Sequence, residues 1–397
     1  MIAEQEVHNI KGIDSLVSFL REKLNWQLPE GDISDITFDW TGSELNLSEN
    51  IHKKLRDGVV RQFQPFKNDQ PWGIFVVDFV DPKVSVVSLR QMLRCLVSKK
   101  RGQSPDHPSW DLPNLLFICL YGDDGFTFAH FKGEKPFGSR LSTFSWHPGE
   151  PIRTVCEFNL PALEYDDSWT PDKWAEEWQN AFDVEKVNKL FYKEIAQLYY
   201  RLTGKSKHTR ELALPSQGDK PNDKDYEEFA VRLIGRTIFC WFLKHKKSDK
   251  NVPLIPEEVL SLDAVKNNAD YYHSVLEPLF FEVMNKEKAA RKQLNLPKVD
   301  SIPFLNGGLF EEHPNDFYNG TPAYSLKINN NWFLDFFTVL EQYNFTIDEN
   351  SSINVDVSVD PEMLGRVFEN LLAEVVPETG ETARKATGSY YTPRVIV

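Results

Sequence analysis

Ile74-Phe75-Val76-Val77 is an unbroken run of bulky apolar residues inside the β-prone stretch Trp72 to Val80. A strand in which neither alternating set of side chains is polar has no face to offer water, so other elements must cover it on both sides. That requirement selects a layered arrangement with this run near the middle of a sheet. The flanking pattern agrees. Ile13, Leu16, Val17, Leu20 and Leu24 recur at helical spacing with Asp14 near the start, which predicts an amphipathic helix over 13–25, ahead of Pro29. A short strand at 35–40, a polar helix near 48–57 and a β-rich run at 59–66 precede the central run. Leu89, Met92, Leu93, Leu96 and Val97 then predict a helix over 85–98. Further strands are expected at 115–121, 126–131 and 141–146, the first two joined by the hairpin signal Gly122-Asp123-Asp124-Gly125.

A chain of 397 residues is too long for one core and suggests two or three domains. Pro151, Pro161 and Pro171 interrupt the acidic stretch Glu164-Tyr165-Asp166-Asp167, and this places a linker at 151–175 between an α/β domain at 1–150 and a helical connector at 176–380. From the end of the linker onward, Trp174, Trp178, Phe182, Val184, Val187, Phe191 and Leu198 mark amphipathic helices whose aromatics are most simply core. A polar loop is expected at about 204–225, and helices from 226 to 300 with an exposed basic face at Lys286 to Lys292. Gly204-Lys205-Ser206 is similar to the end of a phosphate-binding loop, but Tyr199 stands where that loop needs its first glycine, so nucleotide hydrolysis is excluded. The expected fold class is α+β, an N-terminal α/β domain followed by a mainly helical connector.

Asp and Glu outnumber Lys and Arg by 59 to 45, a formal charge of -14, which rules out a uniformly basic nucleic-acid coat. Contact with nucleic acid would rest on local patches, for which Lys99-Lys100-Arg101, Lys244 to Lys247 and Lys286 to Lys292 are the candidates, although charge runs are more often solvated helix ends. Cys95, Cys119, Cys156 and Cys240 lie far apart and form no Cys-x-x-Cys pair, so neither zinc nor a disulfide framework is suggested. No stretch approaches the ~20 apolar residues of a membrane span, and no basic-then-apolar leader opens the chain. The cytoplasm is the expected compartment, with no membrane partner.

Two acidic residues fall beside the predicted strands, Asp57 before one and Asp78 inside the next. The order helix, three strands, helix, strand is compatible with the core of the PD-(D/E)xK nucleases, which hold Mg²⁺ on carboxylates from adjacent strands and use a lysine to activate water. Asp57 and Asp78 are then the candidate catalytic and metal-binding residues. The position two after Asp78 is Val80 where that pattern wants lysine; Asp81-Pro82-Lys83 restores the spacing only past the strand end. Arg90 and Arg94, one helical turn apart, could contact phosphate or face solvent. Asp78 also reads as the solvated side of a half-buried strand, and an inactive nuclease-like fold that clamps DNA fits the same residues.

The last residues carry a different signal. In Gly388-Ser389-Tyr390-Tyr391-Thr392-Pro393, the glycine permits close approach of a ligand, Pro393 fixes the turn, and two tyrosines offer flat apolar surface with hydroxyls. This turn resembles motif X of type IIG restriction-modification N6-adenine DNA methyltransferases. The resemblance implies that Gly388, Tyr390, Tyr391, Thr392 and Pro393 line the methionine end of S-adenosylmethionine at the start of a methyltransferase domain, 381–397. Three further segments match the same enzymes in order: Arg232-Leu233-Ile234-Gly235-Arg236 with its aromatics, the Pro303 to Phe310 turn Pro-Phe-Leu-Asn-Gly-Gly-Leu-Phe, and Leu364 to Leu371. The likeness covers roughly the last 220 residues.

Such a methyltransferase also needs a Gly-rich cofactor turn and an Asn/Asp-Pro-Pro-Tyr turn that holds the flipped adenine, and neither occurs in these 397 residues. The expectation is therefore the N-terminal, DNA-handling part of a phage-defence or restriction-modification enzyme. Its partners would be double-stranded DNA and the remainder of the methyltransferase chain. Two alternatives remain open, a Mg²⁺-dependent endonuclease domain and a non-catalytic DNA-binding scaffold.

Overall fold

The computed structural model describes residues 2–45, 47–81, 84, 86–96, 112–133, 140–216, 220–246, 252–291, 294, 296–305, 308–318, 326–346, 354–359, 363, 365–367 and 371. The chain divides into two compact units. The first comprises Met1–Val187, Gln342–Asn344 and Asn350–Ser358, the second Asn188–Glu341, Phe345–Glu349 and Val359–Val397.

The first unit is built on strands β1 (Thr37–Thr41), β2 (Val59–Phe63), β3 (Trp72–Asp78), β4 (Asn114–Leu120), β5 (Phe126–Lys132) and β6 (Arg140–Trp146). With a short seventh strand, Asn354–Asp356, they form one sheet in sequential order. The pairs β1–β2, β2–β3, β4–β5 and β5–β6 are antiparallel, whereas β3 pairs with β4, and β6 with the short seventh strand, in parallel. A parallel step needs a crossover, and the helix Val86–Leu96 supplies it. The central run therefore behaves as its composition requires: every residue of β3 and of β4 is buried. On one face Phe75, Val77, Leu115, Phe117 and Cys119 pack with Leu89, Met92 and Leu93 of the crossover helix.

Trp72 emerges on the other face, where it meets Trp178 at 5.6 Å and His130 at 4.7 Å between ring centroids, and Trp178 stacks on Trp26 at 4.7 Å. Trp178 belongs to the helix Pro171–Gln179, whose first turn is opened by Pro171 and capped by the Thr170 hydroxyl. The residues expected as a linker, 151–175, lie within this unit. Val155, Leu160, Leu163 and Tyr165 are buried, the Trp26 indole donates to the Leu163 carbonyl at 2.8 Å, and the Tyr165 amide donates to the Leu24 carbonyl at 2.8 Å. Leu24 ends the amphipathic helix Ile13–Leu24, which Asn25 closes in the left-handed conformation.

The second unit is mainly helical. Its long elements are Val184–Thr203, which begins in the first unit, Asp223–His245 and Asn330–Leu340, with a two-stranded ladder of Leu212–Ala213 and Lys327–Ile328. Between 246 and 300 the expected run of helices is broken into short pieces, Leu262–Lys266 and the wide π turns Tyr272–Leu276 and Leu279–Met284. Pro253, Pro256 and Pro278 punctuate this stretch, and proline withholds the amide that a continuous helix requires. Lys288–Ala290 is a single 3-10 turn rather than an exposed helix face.

Arg232 and Arg236 face one buried carboxylate, Asp316, at 2.8 and 2.9 Å. Arg236 also donates to the carbonyls of Leu309 and Glu311, and its guanidinium lies 4.9 Å from the Phe281 ring centre. The Arg-Leu-Ile-Gly-Arg helix and the turn ending in Leu309-Phe310 are thus two halves of one clamp. Asp316 is fully buried; burial pushes its carboxyl up, but the Arg236 hydrogen bond and the two guanidinium charges outweigh that and hold it below the usual range. A depressed carboxyl contributes stability above its unfolded pKa and loses it as pH falls through the folded value. Asp316→Ala is expected to lower unfolding free energy by about 3–5 kcal/mol, because it strands two arginines, and to flatten the acid limb of stability. Urea titrations of both proteins across the acid range measure this, and equal midpoints would refute the clamp.

Candidate functional site

Asp78 is the last residue of β3, and the chain before β2 runs alongside it: Leu55 bridges Phe79, and the Val80 amide donates to the Lys54 carbonyl at 2.9 Å. This brings Arg56 over the strand end. Its Nε lies 3.1 Å from Asp78 Oδ2, and its Nη2 donates to the Phe79 carbonyl at 3.3 Å. Asp57 and Gly58 then turn sharply into β2 with φ of 57° and 67°. Aspartate tolerates the left-handed region. Gly58 is held to it more firmly, since a β-carbon there would sit 2.6 Å from the His52 ring.

Asp57 points its carboxylate to Arg61 Nη2 at 3.1 Å, and Arg61 Nε reaches Asp39 at 3.6 Å across the β1–β2 pairing. Asp57 and Asp78 therefore share one electrostatic neighbourhood. They differ in setting. The Asp57 side chain is 62% exposed and that of Asp78 only 10%, so burial raises the Asp78 carboxyl above its ordinary range, Arg56 pulls it back, and Asp57 adds a smaller upward push.

Arg56 and Arg61 are the residues that the pattern of acids did not reveal. Each carboxylate is already neutralised by a guanidinium, Val80 stands 54% exposed where a water-activating lysine would project, and Lys83 lies outside the described residues. Among the described residues no group of three or more His, Cys, Asp or Glu side chains could hold a metal ion. As arranged, the cluster does not fit Mg²⁺, whose small ion demands several oxygen ligands in near-octahedral array. What it does is hold the β2 entry turn to the end of β3.

The remaining candidates divide. Gly388, Tyr390, Tyr391, Thr392 and Pro393 lie outside the described residues, as do Lys99-Lys100-Arg101 and Asn306-Gly307. Lys244 is paired with Glu257 at 2.8 Å and lies over Trp241, and burial followed by the charge of Lys244 lowers His245 to about 4, so it is neutral. Lys286 pairs with Glu282, and Arg291 donates to the carbonyls of Val299 and Ile302, which spends both on local structure. Arg90 is buried, and its Nε and Nη2 have no hydrogen-bond partner among the described residues. Cys119, Cys156 and Cys240 are buried free thiols. No helix among the described residues is long and apolar enough to cross a membrane.

No family model matches the chain, and no solved structure matches it. The chain is 30% identical over 234 residues to a Methanocaldococcus jannaschii protein named "Putative type II restriction enzyme and methyltransferase". The match takes in 53% of this chain and 18% of that protein. The chain is thus similar, over about half its length, to a small part of a much longer relative.

The ion pair at the strand end makes its own prediction. Arg56→Ala leaves Asp78 buried without its main partner, and is expected to cost about 1–3 kcal/mol near neutral pH. An acid raised in the folded state binds more protons there than in the unfolded chain, so stability falls as pH rises from the ordinary aspartate value through the folded one. Loss of Arg56 should steepen that fall, and adding Asp78→Asn should remove it. Thermal melts from pH 4 to 8 on the single and double variants measure both effects; a pH-independent deficit would show that Arg56 acts only by packing.

Proposed function

From the relationship of half of this chain to a restriction-modification enzyme, we propose that the protein is the DNA-handling region of an enzyme that methylates adenine N6 with S-adenosylmethionine. That relationship is the observation that carries the reading. The order of the Arg232–Arg236 helix, the Pro303–Phe310 turn and Gly388 to Pro393 supports the same reading. In this reading Tyr390, Tyr391, Thr392 and Pro393 pack against the methionine end of the cofactor, which supplies an electrophilic methyl group when bound. The groups that would hold a flipped adenine are not among these residues, so the chain contributes DNA binding and one wall of the cofactor site rather than transfer itself.

A second reading, a metal-dependent endonuclease, is favoured by the helix, three strands, helix, strand order that sets Asp57 near Asp78. It requires Arg56 and Arg61 to release both carboxylates, which places it behind the first.

The chain is expected to bind duplex DNA with an affinity that falls steeply with salt, and to bind S-adenosylmethionine only weakly and transfer no methyl group. Fluorescence anisotropy in a salt series, calorimetric titration of the cofactor and a labelled-methyl assay read these three outcomes. Absence of DNA binding at low salt would sink the first reading. Plasmid nicking in Mg²⁺ or Mn²⁺ that vanishes in Asp78→Ala would instead promote the second.

A further inference from the structure

We propose that the cleft between the β5–β6 ladder and the end of the helix Pro171–Gln179 binds a phosphodiester of the DNA backbone, with Arg140 and Lys132 as its cationic contacts. The assignment rests on the DNA-handling reading and gives it a location. The cleft has a volume of about 310 Å³ and lies wholly within the first unit.

Lys132 and Arg140 stand directly opposite each other across the β5–β6 ladder. Like charges in that register repel, and an anion placed between them is attracted by both. Lys132 donates to the Gln179 side chain at 3.1 Å, which holds its ammonium at the cleft. Arg140 is exposed and makes no ion pair among the described residues, so its guanidinium is available for the two-pronged contact that suits phosphate oxygens.

Two residues along the ladder, on the same face, His130 is opposite Ser142, and both are 4% exposed. His130 Nε2 lies 3.0 Å from the Asn114 Oδ1, and burial, with the charges of Lys132 and Arg140 adding to it, lowers its pKa to about 3. It is a neutral floor and adds no charge. The other wall carries Glu176 and Asp183, together with Asn180 and Phe182. Two cations and two carboxylates thus line the cleft and their charges cancel. Such a lining accepts the single charge of a diester at its cationic edge, while the two carboxylates repel a polyphosphate that carries several charges into the interior.

The test compares the full chain with Arg140→Gln, Lys132→Gln and, as an exposed cation outside the cleft, Lys189→Gln. Binding of a labelled duplex is followed by anisotropy from low to physiological salt, with circular dichroism and melting to confirm that each variant is folded. Arg140→Gln is expected to weaken binding about three- to tenfold and to reduce the slope of log affinity against log salt by about 1, as loss of one phosphate contact does. Lys132→Gln should behave alike, Lys189→Gln should match the parent, and millimolar ATP should not displace the duplex. If the parent binds DNA and Arg140→Gln binds with the same affinity and slope, the cleft assignment is overturned while the DNA reading stands. If ATP binds in an Arg140-dependent way and displaces DNA, the site takes free nucleotides and the backbone assignment fails. If the parent does not bind DNA, both readings fall together.

Discussion

The parallel pairing of β3 with β4 is the constraint around which the first unit is arranged. Two neighbouring strands with no exposed residue must be covered on both faces, and a parallel pair cannot be closed by a tight turn. One crossover therefore meets two needs: the helix Val86–Leu96 joins the strands and, with Leu89, Met92 and Leu93, seals one face. The opposite face is closed by elements far along the chain, through Trp26, Trp174 and Trp178. Burying a large aromatic side chain contributes on the order of 2–3 kcal/mol. The indoles of Trp26 and Trp178 are sensitive to register as well, because they donate to the carbonyls of Leu163 and Glu164.

This covering leaves the strand ends and the outer ladder for chemistry. At the end of β3, Arg56, Asp57, Arg61 and Asp78 form a charge-compensated cluster in which positive φ at two successive residues lets the chain turn back on the strand it has to meet. Farther out, β5 and β6 place Lys132 and Arg140 opposite each other, and Arg140 makes no ion pair among the described residues. The two sites differ in the way that matters for a charged ligand: in the first each guanidinium is held by a carboxylate, and in the second the Arg140 guanidinium is not. In the second unit the Arg232–Asp316–Arg236 clamp repeats the first pattern, and it accounts for two motifs that look independent along the chain.

The strands and main helices of the first unit were legible because their signals are local. Period-two and period-3.6 patterns report which face of an element is buried, and the predicted elements at 13–25, 72–80, 85–98, 115–121, 126–131 and 141–146 agree with those observed to within a few residues. The prolines and acids of 151–175 carry an equally local signal for an irregular chain, yet they do not report that Val155, Leu160, Leu163 and Tyr165 pack into the core. The break-up of helices after residue 246 was hidden for a related reason, since π turns keep the apolar spacing of a helix nearly intact.

By itself, then, the sequence determined the central buried strand, the helix that follows it, the shift from strand to helix patterning, and the likeness to restriction-modification enzymes carried by short ordered motifs. Tertiary structure alone decided which charges meet. Arg56 reaches Asp78 across 22 positions and Arg236 reaches Asp316 across 80, separations at which no periodicity links two residues. A carboxylate that looks like a metal ligand in the sequence is a neutralised ion pair once its distant guanidinium is in place, because electrostatic function depends on distance in space and on burial, neither of which the order of residues records.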